Sequence, residues 1–426
     1  MRILSLTAGA AGMYCGTCMR DNSLARELIR QGHDVLLVPM YTPTLTDDKN
    51  VSSERIFFGG ISVYLQQHYP IFRKLPAVFD KLWDSTWALK RATSGSISVD
   101  PRLLGEMTVS MLRGERGFQA KEIRKLTDWL KNEPRPDIVD LPYTLFVGLA
   151  GPLKAALDRP IVCTLQGEDL FLEGLQEPWR SECLALIRAN LKPIERFIAV
   201  SDYYADFMSQ YLGISRSRID VAPLGISLDG HSAPERSYEG PLQVGYFARV
   251  APEKGLHVLC EAVSLMKEPA VIRAAGYLPS EHKLYLRTLE KRYGCTYQGS
   301  PDREGKIRFL QSIDVFSMPS PYADPKGLSL LEAMANGVPV VQPARGAFPE
   351  IVRKTRGGVI YDSDEPAILA MALDDLARDR ERLRLLAAQA VAGVREQYSL
   401  PRMASRTIDI YQSVARPTQG AVFAQS

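Results

Sequence analysis

Short aliphatic runs recur along the chain, and each is followed by a glycine or polar turn and then by a segment with helical spacing. This alternation predicts strands and helices in turn, which is typical of an α/β protein with parallel sheets. The predicted strands of the first half are 3–7, 35–39, 137–141, 161–165, 197–200 and 220–223. Those of the second half are 242–248, 270–276, 296–299, 315–319, 339–341 and 359–361.

The stretch 228–241, LDGHSAPERSYEGP, interrupts this alternation. It is rich in Gly, Pro, Ser and charged residues and has no apolar period, which predicts a linker. The chain then has two doubly wound domains with a cleft between them, and ligands of such sheets bind outside the carboxyl ends of the strands. We expect an N-terminal domain over 1–228, a C-terminal domain over 241–395, and a helix over about 398–415 that packs back on the first domain.

Residues 69–131 break the rhythm of the first half, because they carry helical spacing without a convincing strand. We interpret them as a helical insertion in the first domain. The stretch 71–91 combines aromatic residues, including Trp83 and Trp87, with an excess of Lys and Arg. Two interpretations stay open: a helix face that contacts a membrane surface, or a helix hairpin packed on the sheet with its basic residues in water.

The composition is that of an ordinary globular protein, since 46% of the 426 residues are hydrophobic and 24% are charged. This excludes collagen-like chains, disordered chains and disulfide miniproteins. With 52 basic and 49 acidic side chains, the net charge of +3 provides no broad basic surface for a phosphate backbone. Nucleic acid is therefore not an expected partner.

Three features bear on the compartment. The six cysteines mostly lie in apolar segments, which is typical of a reducing environment. The apolar run after Met1 is too short for a signal peptide, and the longest apolar stretch, 141–153, is shorter than the about 20 residues of a membrane span. We expect a cytoplasmic protein, and peripheral contact with the inner membrane face is the alternative that the Trp-containing stretch leaves open.

Three glycines, at positions 9, 12 and 16, follow the first predicted strand. A helix capped by Asp21, Asn22 or Ser23 would come next. The backbone N–H groups of such a turn can bind an anion, although a purely structural strand-to-helix turn is an equal alternative. The glycine spacing disfavours an NAD site, and the absence of a GxxxxGKS or GxxxxGKT motif excludes an ordinary P-loop.

Cys15 and Cys18 form a CxxC pair in the same turn. A redox pair, a metal site and ordinary loop residues are the three interpretations. The parallel pattern around the pair is much larger than a thioredoxin unit, and a zinc site would need two further ligands. We favour loop residues.

Two motifs of the second half are typical of a phosphate site. Arg249 and Lys254 flank a strand-to-helix turn, where two cations can hold a diphosphate; an exposed basic loop is the alternative. Farther on, a helix predicted to begin at Gly327 and to end at Asn336 would present free N–H groups at its start. Asp324 and Glu332 lie on either side of that start, and their carboxylates could accept hydrogen bonds from the hydroxyls of a sugar and of a ribose.

The chain resembles the GT-B glycosyltransferases of the retaining family 4 type, and the second half resembles them more than the first. The matching segments are LARELIRQGHDV, PDIVDLPYT, PIVCTLQGEDL, FIAVSDYYADFM, VAPLGI, GYFARVAPEKGLHVL, YQGSPDREGKIRFLQSIDVFSMPS and GLSLLEAMANGVPVV. The resemblance implies an α/β protein of GT-B fold, with two Rossmann-like doubly wound domains facing each other across a cleft.

The resemblance also implies a role for particular residues. Arg249 and Lys254 would hold the donor pyrophosphate, and Asp324 and Glu332 would be the acidic pair of the family's E-x7-E motif, near the sugar and on the ribose. The further donor-binding residues that it implies are Gly16, Gln166, Ser300, Lys326, Gly327, Leu328 and Ser329. Asp324 replaces the family's usual Glu, and Gln166 stands where many members carry His, so these departures bear on the donor sugar and the rate.

The expected activity is transfer of a hexosyl unit from a nucleotide diphosphate sugar to a hydroxyl acceptor, with retention and without a metal or cofactor. The acceptor would be a sugar, a lipid-linked sugar or a small molecule. One alternative is a nucleotide-sugar 2-epimerase of GT-B fold, which would need acids and His in the first half, where His33 and His68 are the only histidines. The other is a catalytically degenerate protein that only binds sugar nucleotides.

Overall fold

The computed structural model describes residues 1–9, 16–44, 46, 49–58, 66, 67, 69, 71, 73 and 101–415, with the backbone alone for 101–103. The described residues fall into two compact units. The first unit comprises residues 1–200 and 205–222 and the chain from 404 onward, and the second comprises 201–204 and 223–403.

The first unit is a parallel sheet with helices. Its strands are β1 (Arg2–Thr7), β2 (Asp34–Pro39), β3 (Ile138–Leu141), β4 (Ile161–Leu165), β5 (Arg196–Ala199) and β6 (Ile219–Val221), in the order β2-β1-β3-β4-β5-β6. Its helices are α1 (Gly16–Arg30), α2 (Pro101–Leu112), α3 (Ala120–Asn132), α4 (Ala150–Leu157), α5 (Asp169–Glu173), α6 (Trp179–Ala189) and most of α7 (Asp202–Leu212).

The second unit is also a six-stranded parallel sheet with helices, with a different strand order. Its strands are β7 (Leu242–Phe247), β8 (Ala270–Ala275), β9 (Thr296–Tyr297), β10 (Val315–Phe316), β11 (Val340–Pro343) and β12 (Gly358–Tyr361), in the parallel order β12-β11-β10-β7-β8-β9. Its helices are α8 (Leu256–Ser264), α9 (Lys283–Tyr293), α10 (Arg303–Gln311), α11 (Leu328–Ala335), α12 (Phe348–Thr355), α13 (Pro366–Arg378) and α14 (Arg380–Gln397). The last helix, α15 (Leu400–Val414), groups with the first unit from Ala404 onward.

Local sequence explains these elements. All five residues of β4, IVCTL, are buried, as expected of a strand covered on both faces of a parallel sheet. In α3 the buried Ile123, Leu126 and Leu130 recur at helical spacing, so one face of the helix packs inward. Helix α9 ends at Gly294, whose φ of 68° is the left-handed conformation that glycine adopts without strain.

The predicted α/β fold is confirmed, and every predicted strand is present to within two or three residues at its ends. Part of the predicted insertion, 101–131, is helical as expected, whereas 74–100, with Trp83 and Trp87, lies outside the described residues. Among the helices described, none is both long and apolar enough to cross a bilayer.

The predicted cap of the first helix is wrong. Helix α1 begins at Gly16, so Asp21 and Asn22 lie inside it rather than at its start. Both are buried and bond to other segments: Thr7 donates to Asp21, and the Asn22 carboxamide oxygen accepts the Val51 N–H. Side chains that can cap a helix can equally make such longer-range bonds, and here the longer-range bonds win.

Candidate functional site

Lys254 lies at the carboxyl edge of the second sheet, between β7 and α8. The next residue, Gly255, has φ of 78°, and a Cβ there would lie 1.9 Å from the Pro319 carbonyl oxygen in the loop after β10. Only glycine permits this approach of two backbones. It brings Lys254 beside the loop that carries Asp324, 70 residues away in sequence.

The Asp324 carboxylate joins three groups of this edge. Its Oδ2 accepts from Lys254 Nζ at 2.8 Å, and its Oδ1 accepts the backbone N–H groups of Lys326 and Gly327, each at 2.9 Å. Burial by itself raises the pKa of Asp324, but the Lys254 charge and these hydrogen bonds outweigh burial and hold the pKa below its usual value. The carboxylate is therefore ionised and fixes the turn before α11.

Helix α11 begins at this turn. Gly327 has φ of 61°, and a Cβ on it would lie 2.4 Å from Ile351 Cδ1, so the position requires glycine. Its N–H is occupied by Asp324, and α11 has no side-chain cap. The half-buried Leu328 and Ser329 are the first residues of the helix, so their N–H groups and the positive helix end can receive an anion. Lys326, also half-buried, adds a cation beside them.

Arg249 and Lys254 have different environments. The Lys254 side chain is 17% exposed and is held by Asp324, whereas the Arg249 side chain is 48% exposed and pairs with Glu253 within the same loop. The Ser320 hydroxyl lies 2.8 Å from the Glu253 carbonyl oxygen and so ties this loop to the one after β10. The two predicted cations thus share one edge, one of them fixed and the other in contact with water.

Glu332 lies inside α11 and is buried with Lys306 of α10. The Lys306 Nζ to Glu332 Oε1 distance is 2.6 Å, and each side chain is 10% exposed. Sequence reasoning identified Glu332 and missed Lys306. The available signal was a lysine beside Ile307, Phe309 and Leu310, on the buried face of a short helix.

The loop before α10 contains Ser300, which is exposed. Its neighbour Gly299, with φ of 79°, accepts the Gly276 N–H at 2.9 Å, so the loops after β8 and β9 are joined. Asp302 caps α10 by accepting the Gly305 N–H at 2.8 Å. The loop is therefore held at both ends while Ser300 faces solvent.

Two predicted residues belong to the first unit. Gly16 is exposed at the first residue of α1. Gln166 is 2% exposed, and its Nε2 donates to the Pro142 carbonyl at 2.7 Å and to Asp21 at 3.4 Å. The Gln166 amide thus stabilises the interior of this unit. Cys15 lies outside the described residues, and Cys18 is buried.

A buried acidic cluster, Asp21, Asp140 and Glu168, lies around the carboxyl edge of the first sheet. Burial raises the pKa of all three, and that of Asp140 rises to about 6 although Arg20, Tyr411 and Thr164 oppose the shift. The Tyr411 hydroxyl of α15 donates to Asp140 Oδ2 at 2.8 Å. Within the described part of the chain, no three or more His, Cys, Asp or Glu side chains are arranged to hold a metal ion.

Two family models match consecutive parts of the chain: Glycosyltransferase Family 4 over residues 101–229, and Glycosyl transferases group 1 over 229–391. The second match contains the Lys254–Asp324 pair, the start of α11 and Glu332. The chain belongs to the family 4 type of GT-B glycosyltransferases. The resemblance inferred from the sequence is therefore confirmed.

Similar proteins agree with the assignment of this chain to the glycosyltransferases. WcaL of Escherichia coli K12, provisionally named a colanic acid biosynthesis glycosyltransferase, is 33% identical over 190 residues, which are 41% of this chain and 46% of that protein. The alpha-maltose-1-phosphate synthase of Mycolicibacterium smegmatis is 27% identical over 64% of this chain and 78% of its own. The structure of Anabaena HepE in complex with UDP has a TM-score of 0.67 at 18% identity, covering 97% of this chain and 100% of that one, which shows the fold.

Proposed function

We propose that this glycosyltransferase moves a hexosyl unit from a nucleotide diphosphate sugar to a hydroxyl acceptor, with retention at the anomeric carbon and without a metal ion. The observation that carries the proposal is the ordered cation Lys254, bonded to Asp324 at 2.8 Å beside the uncapped start of α11. A fixed cation and helix-start amides at one sheet edge suit a diphosphate.

The difficult step is departure of the nucleoside diphosphate. When the bond between the anomeric carbon and the phosphate oxygen breaks, negative charge grows on that oxygen. Lys254, Arg249 and the amides of Leu328 and Ser329 would stabilise this charge. Lys254 is held by Asp324 and the amides belong to the start of a helix, so these groups need little reorganisation during the reaction. The low exposure of Lys254 strengthens its effect, because water screens it less.

The acceptor hydroxyl must also lose a proton. Asp324 is a poor base for this purpose, since its pKa is held low and its oxygens already accept from Lys254 and two backbone amides. We infer that the departing phosphate oxygen takes the proton while the acceptor oxygen bonds to the anomeric carbon. Both events then occur on one face of the sugar, which retains the anomeric configuration.

The HepE neighbour was solved with UDP, which makes uridine diphosphate sugars the first donors to test. Purified protein is incubated with UDP-, GDP- and ADP-hexoses and a panel of sugar, lipid-linked sugar and small hydroxyl acceptors. We expect nucleotide release that depends on one donor, survives EDTA and gives a product with the donor's anomeric configuration by NMR.

Three results would contradict the proposal in different parts. Absence of nucleotide binding and release with every donor would remove the activity, and inversion at the anomeric carbon would remove the retaining mechanism. Loss of turnover in EDTA that Mg²⁺ restores would remove metal independence. Recovery of an epimerised sugar, again visible by NMR, would instead favour an isomerase.

A further inference from the structure

Glu332 is held by a side chain from a separate helix. Lys306 of α10 contacts Oε1 at 2.6 Å, and Oε2 has no protein hydrogen bond within the described residues. The carboxylate is 10% exposed, so it is nearly dry but still reaches solvent. One oxygen is therefore committed to the protein while the other can accept from a ligand.

Charged groups from two segments act on His231, which contacts Asn336 one helical turn beyond Glu332. Helix α10 contributes Arg303 and Lys306, and the predicted linker contributes Asp229. Burial, together with the charges of Arg303 and Lys306, lowers the pKa of His231 to about 4, so this imidazole is neutral near pH 7.

The same neighbourhood fixes the backbone beneath Glu332. The Asn336 amide lies 2.9 Å from the Glu332 carbonyl oxygen and 2.8 Å from His231 Nδ1, which accepts only when it is unprotonated. His231 is neutral, and among the described residues the cation that contacts the Glu332 carboxylate is Lys306.

We propose that Lys306 is a positioning residue for nucleotide binding: its ammonium holds Oε1 of Glu332, which leaves Oε2 to accept hydrogen bonds from the ribose hydroxyls of a nucleoside diphosphate. This inference rests on the proposed function and adds a residue to it. Lys306 acts through Glu332 and does not itself contact the ligand.

The pair has a testable consequence. Without the Lys306 ammonium, Oε1 of Glu332 loses the hydrogen bond that fixes it, and the nearly buried carboxylate loses the partner that offsets its desolvation. The carboxylate should then present Oε2 less well to the ribose hydroxyls, and the affinity for the nucleotide should fall.

The test is isothermal titration of UDP, GDP and ADP near neutral pH, first with the wild type to select the ligand. Lys306→Met should bind that nucleotide about 10-fold more weakly, roughly the loss expected when one charge-assisted hydrogen bond no longer positions the acceptor. Lys306→Arg keeps a cation at this position and should restore the wild-type affinity.

Lys125→Met is the matched control. Lys125 pairs with the fully buried Glu122 at 3.0 Å in α3 of the first unit, so this variant also leaves a buried carboxylate without its lysine. It should change stability without changing nucleotide affinity. A Lys306→Met deficit that is absent, or that Lys125→Met shares, would overturn the inference while the proposed function stands.

If Lys306→Met does not fold by circular dichroism, Glu332→Gln with and without Lys306→Met decides. The double variant has no charge at position 306 or 332, so it leaves no unpaired charge buried. Adding Lys306→Met to Glu332→Gln should cost no further affinity, because Lys306 acts through the carboxylate; a further loss of about 10-fold contradicts that. A wild type that binds none of the three nucleotides overturns the proposed function, and this inference with it.

Discussion

The carboxyl edges of the two sheets use acidic residues in opposite ways. In the second unit, Asp324 and Glu332 each face a lysine, and the pKa of Asp324 is lowered. In the first unit, Asp21, Asp140 and Glu168 are buried and their pKa values are raised. Both units have a six-stranded parallel sheet, although their strand orders differ, and the charge state at each edge follows from the side chains around its carboxyl groups.

The difference shows which role the carboxyl groups have at each edge. The lysine-paired Asp324 keeps its charge and fixes a backbone turn whose helix start can receive an anion. In the first unit, hydroxyls, amides and the Arg20 guanidinium bonded to Asp21 do not offset the cost of burial, so these carboxyl groups tend toward neutrality and join elements of the fold instead. The following experiments test this contrast.

Gly255→Ala should have the largest effect. Both Gly255 and Gly294 have positive φ, but a Cβ at 255 lies 1.9 Å from the Pro319 oxygen, whereas a Cβ at 294 meets nothing within 4 Å. Gly294→Ala should cost only the left-handed strain of about 1–2 kcal/mol. Gly255→Ala should also displace Lys254 and reduce kcat/KM for nucleotide release by more than about 10²-fold. Equal activities and melting temperatures of the two variants would show that this close approach is unnecessary.

Lys254→Ala should lower kcat by about 10²-fold or more, and Arg249→Ala should have the same effect. A loss of this size is usual when one preorganised donor to a developing oxyanion is removed. Lys291→Ala, at the far end of α9, is the control and should keep wild-type turnover. Steady-state nucleotide release measures all three. Near-normal turnover of Lys254→Ala would mean that the lysine-paired edge is not catalytic.

Asp140→Asn should change the pH dependence of stability. The pKa of Asp140 is raised from 3.8 to about 6, so the folded chain retains a proton that the unfolded chain has released between these values. The stability from this group is present below about pH 4 and is lost as the pH rises through about 6, by at most about 3 kcal/mol. Asp140→Asn should flatten this fall in melting curves from pH 4.5 to 7.5. The exposed Asp128→Asn should not, and parallel profiles for all three proteins would contradict the assigned shift.

Tyr411→Phe should have the smallest effect, about 1–2 kcal/mol of unfolding free energy, because it removes a donor from a buried carboxyl group. Tyr398→Phe is a close control: its hydroxyl is buried without a hydrogen-bond partner in the described structure, so its removal should cost nothing. Urea unfolding of both variants gives the comparison. An equal or larger loss in Tyr398→Phe would show that the Asp140 bond does not stabilise the first unit.

Local pattern predicted much of this molecule. Short, mostly apolar runs such as Ile161–Leu165 predicted buried strands, because they are too short for a typical helix and are bounded by turn residues. Gly327 was informative as the predicted start of a helix, and it has the positive φ that favours glycine.

The remaining features depend on contacts between distant segments. Lys306 meets Glu332 from another helix, 26 residues away, and nothing in its own segment specifies that partner. Asp21 was predicted to cap a helix that in fact begins five residues earlier, because a short polar side chain suits both roles equally. Pairing of this kind follows from the tertiary fold and not from periodicity.

The first unit is discontinuous in sequence, since α15 joins it only after the whole second unit has been made. A ribosome adding about 5 to 20 residues per second needs roughly 10 to 40 s for the intervening stretch of about 180 residues. During that time Asp140 lacks the hydrogen bond from Tyr411, and the surface that will bury Ile408 and Ile410 stays exposed to water. The nascent chain therefore exposes apolar surface of the first unit throughout the synthesis of the second, a stretch of about 180 of its 426 residues.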